Sequence, residues 1–316
     1  MRVAFFFSMA ISQDTARVLS ELKNLDFQRA TKADIYALLA QLEPWGEMEV
    51  TIPQGTVIVR TRCEVDYADV YYEKDISCRT NPSDVSYGRA NSVGVPAFYG
   101  VISLEQDYKT AHSRSVCVAE VSKIANDPAV IESMEYAYTG FWIVEKEITG
   151  VGFINHGNFK QQYVLLAKLQ ADHNDYLERS EKRDDLKAIF DFFAEEFAKN
   201  VPKNQPEIYK ITSALADDYL GHNTAEGVSQ YPAIIFPSVK AEGNGINIAM
   251  TPDAVKKYLK LKSVFVEQLF KDRVHVGARN YLKCHEFQPD GKFVWKEDNG
   301  HSVATIKRFL REQNEA

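Results

Sequence analysis

The 316-residue chain has no apolar stretch approaching the roughly 20 residues needed to cross a bilayer, which excludes a bundle of membrane-spanning helices. Its four cysteines, Cys63, Cys78, Cys117 and Cys284, stand far apart, so no pair has the spacing of a zinc ribbon or a redox dithiol. Reduced, mostly buried thiols in a cytoplasmic protein are the reading this favours. Cys284 and His285 are adjacent, but neighbours on a strand point to opposite faces, and no metal is assigned. A basic excess is missing as well: 37 Lys and Arg stand against 44 Asp and Glu, a formal charge of -7. Such a chain is a poor match for a nucleic-acid backbone, and any anionic ligand must be held by a few placed Arg, Lys and backbone N–H groups. No Gly-x-Gly-x-x-Gly follows a strand-like run, which sets aside a Rossmann dinucleotide domain. No fixed-period repeat or low-complexity tract is present, and nothing in the chain specifies an oligomeric state.

What is present is a chain able to bury a substantial core, with 45% hydrophobic and 26% charged residues in the ordinary globular range. The apolar start, Met1 to Ile11, carries only Arg2 and lacks a small-residue cleavage site, so it reads as a folded segment and not as a signal peptide. Leu19, Leu22 and Leu25, then Ile35, Leu38, Leu39 and Leu42, recur at helical spacing and predict two helices between Asp14 and Leu42. Thr56 to Cys63, Ala97 to Ile102, Ser115 to Val121, Gly140 to Glu145 and Tyr231 to Ser238 read as strands, and residues 79–97 as a long ligand-facing loop. A helical stretch is predicted between about Phe159 and Leu220. Thr251-Pro252 marks another helix start, with Thr as N-cap and Pro in the first position. Arg279 to Phe287 and Lys292 to Lys296, joined by Pro289-Asp290-Gly291, predict a hairpin, followed by a terminal helix from about Ser302 to Arg311. The class is α+β, with a central mixed or split sheet. One continuous unit follows from this reading, in three segments: an N-terminal helical extension (1–55), a central α+β domain with a helical insert at about 159–220 (56–255), and C-terminal strands, hairpin and helix packed on the same unit (256–316).

Several sequence islands carry the composition of a nucleotide pocket: Arg60-Thr-Arg62, then Gly88-Arg89-Ala-Asn91 running through Gly94-Val-Pro96 to Phe98-Tyr99-Gly100. Val118-Ala-Glu120-Val, Phe236-Pro-Ser238-Val-Lys240 and Gly245-Ile-Asn247-Ile-Ala249 complete them. Each alone would be a turn or a solvated surface. In this order and spacing, over roughly residues 56–255, they resemble the RES family, named for its Arg, Glu and Ser residues. The resemblance implies an ADP-ribosyltransferase-like fold and NAD as substrate, with no metal. It also implies Arg60 as the first family arginine, Ser238 as a ligand-positioning serine, and Tyr99 as the ring near nicotinamide.

The chemistry gives these residue types a purpose. Breaking the nicotinamide–ribose bond passes through an oxocarbenium-like state that a nearby carboxylate can stabilise. Glu120 receives that role, on a strand face shared with Val116 and Val118. Arg60, Arg62 and Arg89 suit the pyrophosphate, and Asn91, Lys240 and Asn247 complete the cofactor-binding set. Two departures stand out: Phe236-Pro-Ser replaces the family's usual Tyr-Pro-Ser, and Lys240 stands where Arg is common. The Tyr99–Glu120 interval is also longer than in compact RES toxins, which leaves Glu105 as the alternative carboxylate. The resulting expectation is a cytoplasmic NAD-consuming enzyme transferring ADP-ribose to water, phosphate or a macromolecule, with an antitoxin or acceptor protein as partner. A non-catalytic nucleotide sensor or scaffold is the competing expectation. The enzyme reading requires Arg60, Tyr99, Glu120 and Ser238 to share one cavity.

Overall fold

The computed structural model describes residues 11–64, 70–103, 111–127, 129–130, 133–154, 164–221, 230–243, 245–271 and 276–298. In chain order its elements are α1 (Gln13–Lys23), α2 (Lys32–Leu39), β1 (Met48–Ile52), β2 (Val57–Glu64), α3 (Glu73–Ile76), β3 (Phe98–Ser103), α4 (Ala111–Val121), α5 (Lys123–Asn126), β4 (Ser133–Val144) and β5 (Ile148–Gly152). They continue with α6 (Val164–Glu178), α7 (Arg183–Ala198), α8 (Lys210–Tyr219), β6 (Ala233–Pro237), β7 (Ile246–Met250), α9 (Pro252–Tyr258), β8 (Leu259–Lys271), β9 (Val276–Cys284) and β10 (Lys296–Glu297). This is an α+β chain with both parallel and antiparallel strand pairs. The expected terminal helix and the start of the chain lie outside the described residues.

The chain divides into two compact units, and it passes between them repeatedly. One comprises residues 1–51, 82–95 and 149–239, the other residues 52–81, 96–148 and 240–316. In the first unit α7 packs on β6 of a small sheet in which β5 and β6 run parallel, Val151 opposite Ile234, with β1 beside β5. Its core is aromatic. Phe153 stacks on Phe197 with ring centres 4.5 Å apart, and Phe193 meets Trp45 edge-on at 5.8 Å. The apolar stripe expected of Ile189, Phe190, Phe193, Ala194, Phe197 and Ala198 falls on α7, where all but the half-buried Ala198 are buried. α1 starts where Ser12 accepts from the Thr15 N–H, and α2 where Thr31 and Asp34 form a reciprocal capping box.

The second unit is a seven-stranded antiparallel sheet in the order β7-β3-β2-β4-β8-β9-β10. Its centre is the long β4–β8 pair, in which Ser133 faces Lys271 and Val144 faces Leu259. α9 feeds β8 directly and begins as its sequence dictates: the Thr251 hydroxyl accepts from the Ala254 N–H, with Pro252 in the first turn. The hairpin after β9 is also present. Lys296 pairs with Lys283 and Phe287 bridges Phe293, while Gly291 turns the chain at φ 84°.

One expected strand is a helix. Ser115 to Val121 falls in α4, although Val116, Val118 and Val121 favour extended structure locally. The burial pattern explains the outcome, because Ser113, Val116 and Cys117 are buried at helical spacing. Val116 and Cys117 pack with Val59, Val101 and Phe141. β2 and β3 already pair with each other and with β4 and β7, so the hydrogen-bonding edges a further strand would need are occupied there. A helix laid across the face buries the same side chains and satisfies its own backbone.

Candidate functional site

Register in the second unit decides which expected site residues can meet. Val59 stands opposite Val101 and Val101 opposite Asn247, so these three side chains share one face of the sheet. α4 covers that face, and the Cys117 thiol reaches the Val59 carbonyl at 3.2 Å. Burial pushes the Cys117 thiol up to about 12, so it is an unreactive core thiol. From the end of α4 the Glu120 carboxylate accepts from the Asn247 side-chain amide at 3.0 Å. Tyr99, two residues from Val101 on β3 and opposite Ala249, lies on the same face and diagonal to Asn247. Ala241, next to the exposed Lys240, packs against the Val59–Val101–Cys117 cluster. Tyr99, Glu120 and Asn247 are therefore gathered on one face, and Lys240 adjoins it in the chain.

Arg60 and Arg62 are on the other face. Residues alternate along β2, and Arg60 faces α3: its Nε donates to the Ile76 carbonyl at 3.0 Å and its Nη1 to the Tyr99 carbonyl at 2.7 Å. The guanidinium carbon lies 5.2 Å from the centre of the Phe98 ring. Burial pulls the Arg60 pKa below its ordinary value, with the Cys78 sulfur opposing. Gly140, opposite Arg60 on β4, is required by close packing, since a Cβ there would stand 2.5 Å from the Trp142 ring and 3.1 Å from Ile76. Arg62 is half exposed, pairs with Glu64 and donates to the Asp75 carbonyl at 3.0 Å. The expectation that Arg60 and Glu120 work in one cavity is corrected by this register: they stand on opposite faces of one sheet.

The remaining expected residues belong to the first unit. Arg89 clamps the end of α7, donating to the carbonyls of Phe197 and Lys199 and to the Tyr209 hydroxyl, with its guanidinium 5.1 Å from the Tyr209 ring centre. Asn91 is buried and donates its amide to the carbonyls of Ser86 and Ser92, both at 2.9 Å, which shapes its own loop. Ser238 is fully buried just beyond β6. Glu105 lies outside the described residues.

Sequence reasoning missed Arg114, which ion-pairs with the mostly buried Glu267 from the α4 face. The signal was obscured by the strand assignment: only a helix beginning near Ala111 brings Arg114 onto the sheet. Among the described residues no group of three or more His, Cys, Asp or Glu is arranged to hold a metal, and no helix is long and apolar enough to cross a membrane. Comparison with protein-family models and with curated proteins finds no match for this chain.

Proposed function

We propose that the chain is a cytoplasmic, NAD-consuming enzyme of the RES, ADP-ribosyltransferase-like type. The observation that supports this reading best is the Glu120 carboxylate fixed by Asn247 on the sheet face that also carries Tyr99. In the reaction, the bond between the ribose carbon and the pyridinium nitrogen breaks and nicotinamide leaves with the electron pair. Glu120 stabilises the positive charge that develops on the ribose, Asn247 holds the carboxylate, and the Tyr99 ring packs on nicotinamide. Lys240 serves the pyrophosphate. Arg60 leaves the ligand set and becomes the tie between β2, β3 and α3, so the single cavity first expected of Arg60, Tyr99, Glu120 and Ser238 is given up and the reading rests on Glu120, Tyr99 and Asn247. Water, phosphate or a macromolecule accepts the ADP-ribose, and an antitoxin restrains the activity.

The second reading, a nucleotide-binding or scaffold protein without turnover, draws on a different observation: Arg60, Arg89 and Asn91 spend side-chain donors on backbone carbonyls. Purified protein incubated with NAD, with free nicotinamide measured, separates the two. The enzyme reading expects release that falls about 10²- to 10³-fold in Glu120→Gln. Saturable NAD binding without release assigns the second reading, and release unchanged in the variant removes Glu120 from catalysis. Mass spectrometry of the products identifies the acceptor. In bacteria an unrestrained enzyme lowers cellular NAD, whereas normal NAD beside abundant folded protein overturns a free-standing toxin.

A further inference from the structure

A cavity of about 480 Å³ opens in the second unit between the start of α3, the start of β8 and the hairpin after β9. Its walls combine three aromatic rings, Tyr72, Phe287 and Phe293, with two carboxyl side chains, Glu73 and Asp290. Phe287 and Phe293 meet edge-to-face at 5.6 Å, and Phe293 meets Trp295 in the same way, so the rings are held by one another. Trp295 is itself anchored, its indole N–H donating to the Val70 carbonyl at 2.9 Å. Phe287 remains 36% exposed, which leaves part of its surface open to a ligand.

One ammonium group of the chain already uses a ring of this wall: Lys74 stands 5.6 Å from the Tyr72 ring centre. The other lysine on the wall, Lys260, is directed to Glu145 at 3.7 Å. Glu73 is exposed at the cavity mouth, where partial desolvation raises its pKa against the opposing Trp142 indole N–H, and Asp290 accepts from the Lys292 backbone N–H at 3.0 Å.

We infer that this cavity binds a small organic cation, an alkylammonium whose methyl or methylene groups pack on Phe287 and Phe293 and whose charge faces Glu73 and Asp290. None of the residues assigned to NAD lines it, so the two readings stand or fall separately. The probe is choline, titrated into the full chain by calorimetry beside 3,3-dimethylbutan-1-ol, which has the same shape without the charge. Choline should bind saturably and the neutral alcohol about tenfold more weakly or not at all. Phe287→Ala and Glu73→Gln should each weaken choline several-fold, with the melting temperature unchanged in Glu73→Gln and lowered by only a few degrees in Phe287→Ala. The inference is overturned by an absence of saturable choline binding, by equal binding of the alcohol, or by choline affinity unchanged in both variants. It fails independently of the nicotinamide assay, which reads the other face.

Discussion

The two units spend their polar side chains differently. In the helical unit Arg89 caps α7, Asn91 ties its own loop, and the fully buried Asp217 receives both the Lys32 ammonium and the Ser92 hydroxyl. In the antiparallel unit, Glu120 and Asn247 pair at the end of a helix, while Glu73 and Asp290 line an open cavity. Arg89 and Asn91 of the helical unit are spent on its own backbone, whereas in the antiparallel unit Arg60 and Arg62 are spent so but Glu73 and Asp290 face an open cavity. What separates them is backbone demand: helix ends and irregular loops leave carbonyls that side chains must satisfy, whereas a fully paired sheet satisfies its own.

The contrast can be broken by substitution. The largest stability effect should come from the aromatic core of the helical unit. Phe153→Ala removes the ring stacked on Phe197 and touching Phe190 and Phe193, and should cost about 3–5 kcal/mol in denaturant unfolding. Next comes Arg89→Ala, which leaves the terminal α7 carbonyls without their cationic donor and should cost about 1.5–3 kcal/mol, with NAD affinity unaltered if Arg89 is structural. A fall in NAD affinity at unchanged stability would return Arg89 to the ligand set. In the antiparallel unit, Thr251→Ala deletes the α9 N-cap and should cost about 1 kcal/mol.

The smallest expected effect is a pH dependence from His173. This ring is buried against Phe190, its Nε2 bonds the Gly46 carbonyl at 2.9 Å, and its Nδ1 has no partner among the described residues. Burial lowers its pKa below the ordinary 6.5. The unfolded chain therefore takes up a proton before the folded one does. The stability from this group is complete above 6.5 and is lost as pH falls toward the folded value, with a slope of at most about 1.4 kcal/mol per pH unit. Unfolding curves of wild type and His173→Gln between pH 7.5 and 5 measure it, and parallel pH dependences would show that the ring does not titrate in this way.

Much of the fold is legible in the chain. The α7 stripe, the Thr251-Pro252 helix start, β2 and the Pro289-Asp290-Gly291 hairpin carry local signals: helical spacing, a capping hydroxyl, β-branched density and a turn that needs glycine. β1, β5 and β7 are short and fully or alternately buried, which weakens their signature, and the sequence reading of β4 captured only its second half.

The candidate site was legible in part. The RES resemblance singled out Tyr99 and Asn247, the chemistry of an oxocarbenium-like state pointed to a carboxylate such as Glu120, and alternation along β2 already placed Arg60 and Arg62 on a common face. Which face that was could not be read, because it depends on β2 pairing with β3 and β4 and on α4 covering the other side. Local order is written in neighbours three or four residues apart, and the sequence by itself determined it. The meeting of Glu120 with Asn247, 127 positions away, and the separation of Glu120 from Arg60 were decided only by tertiary pairing, since strand register and helix placement are long-range choices.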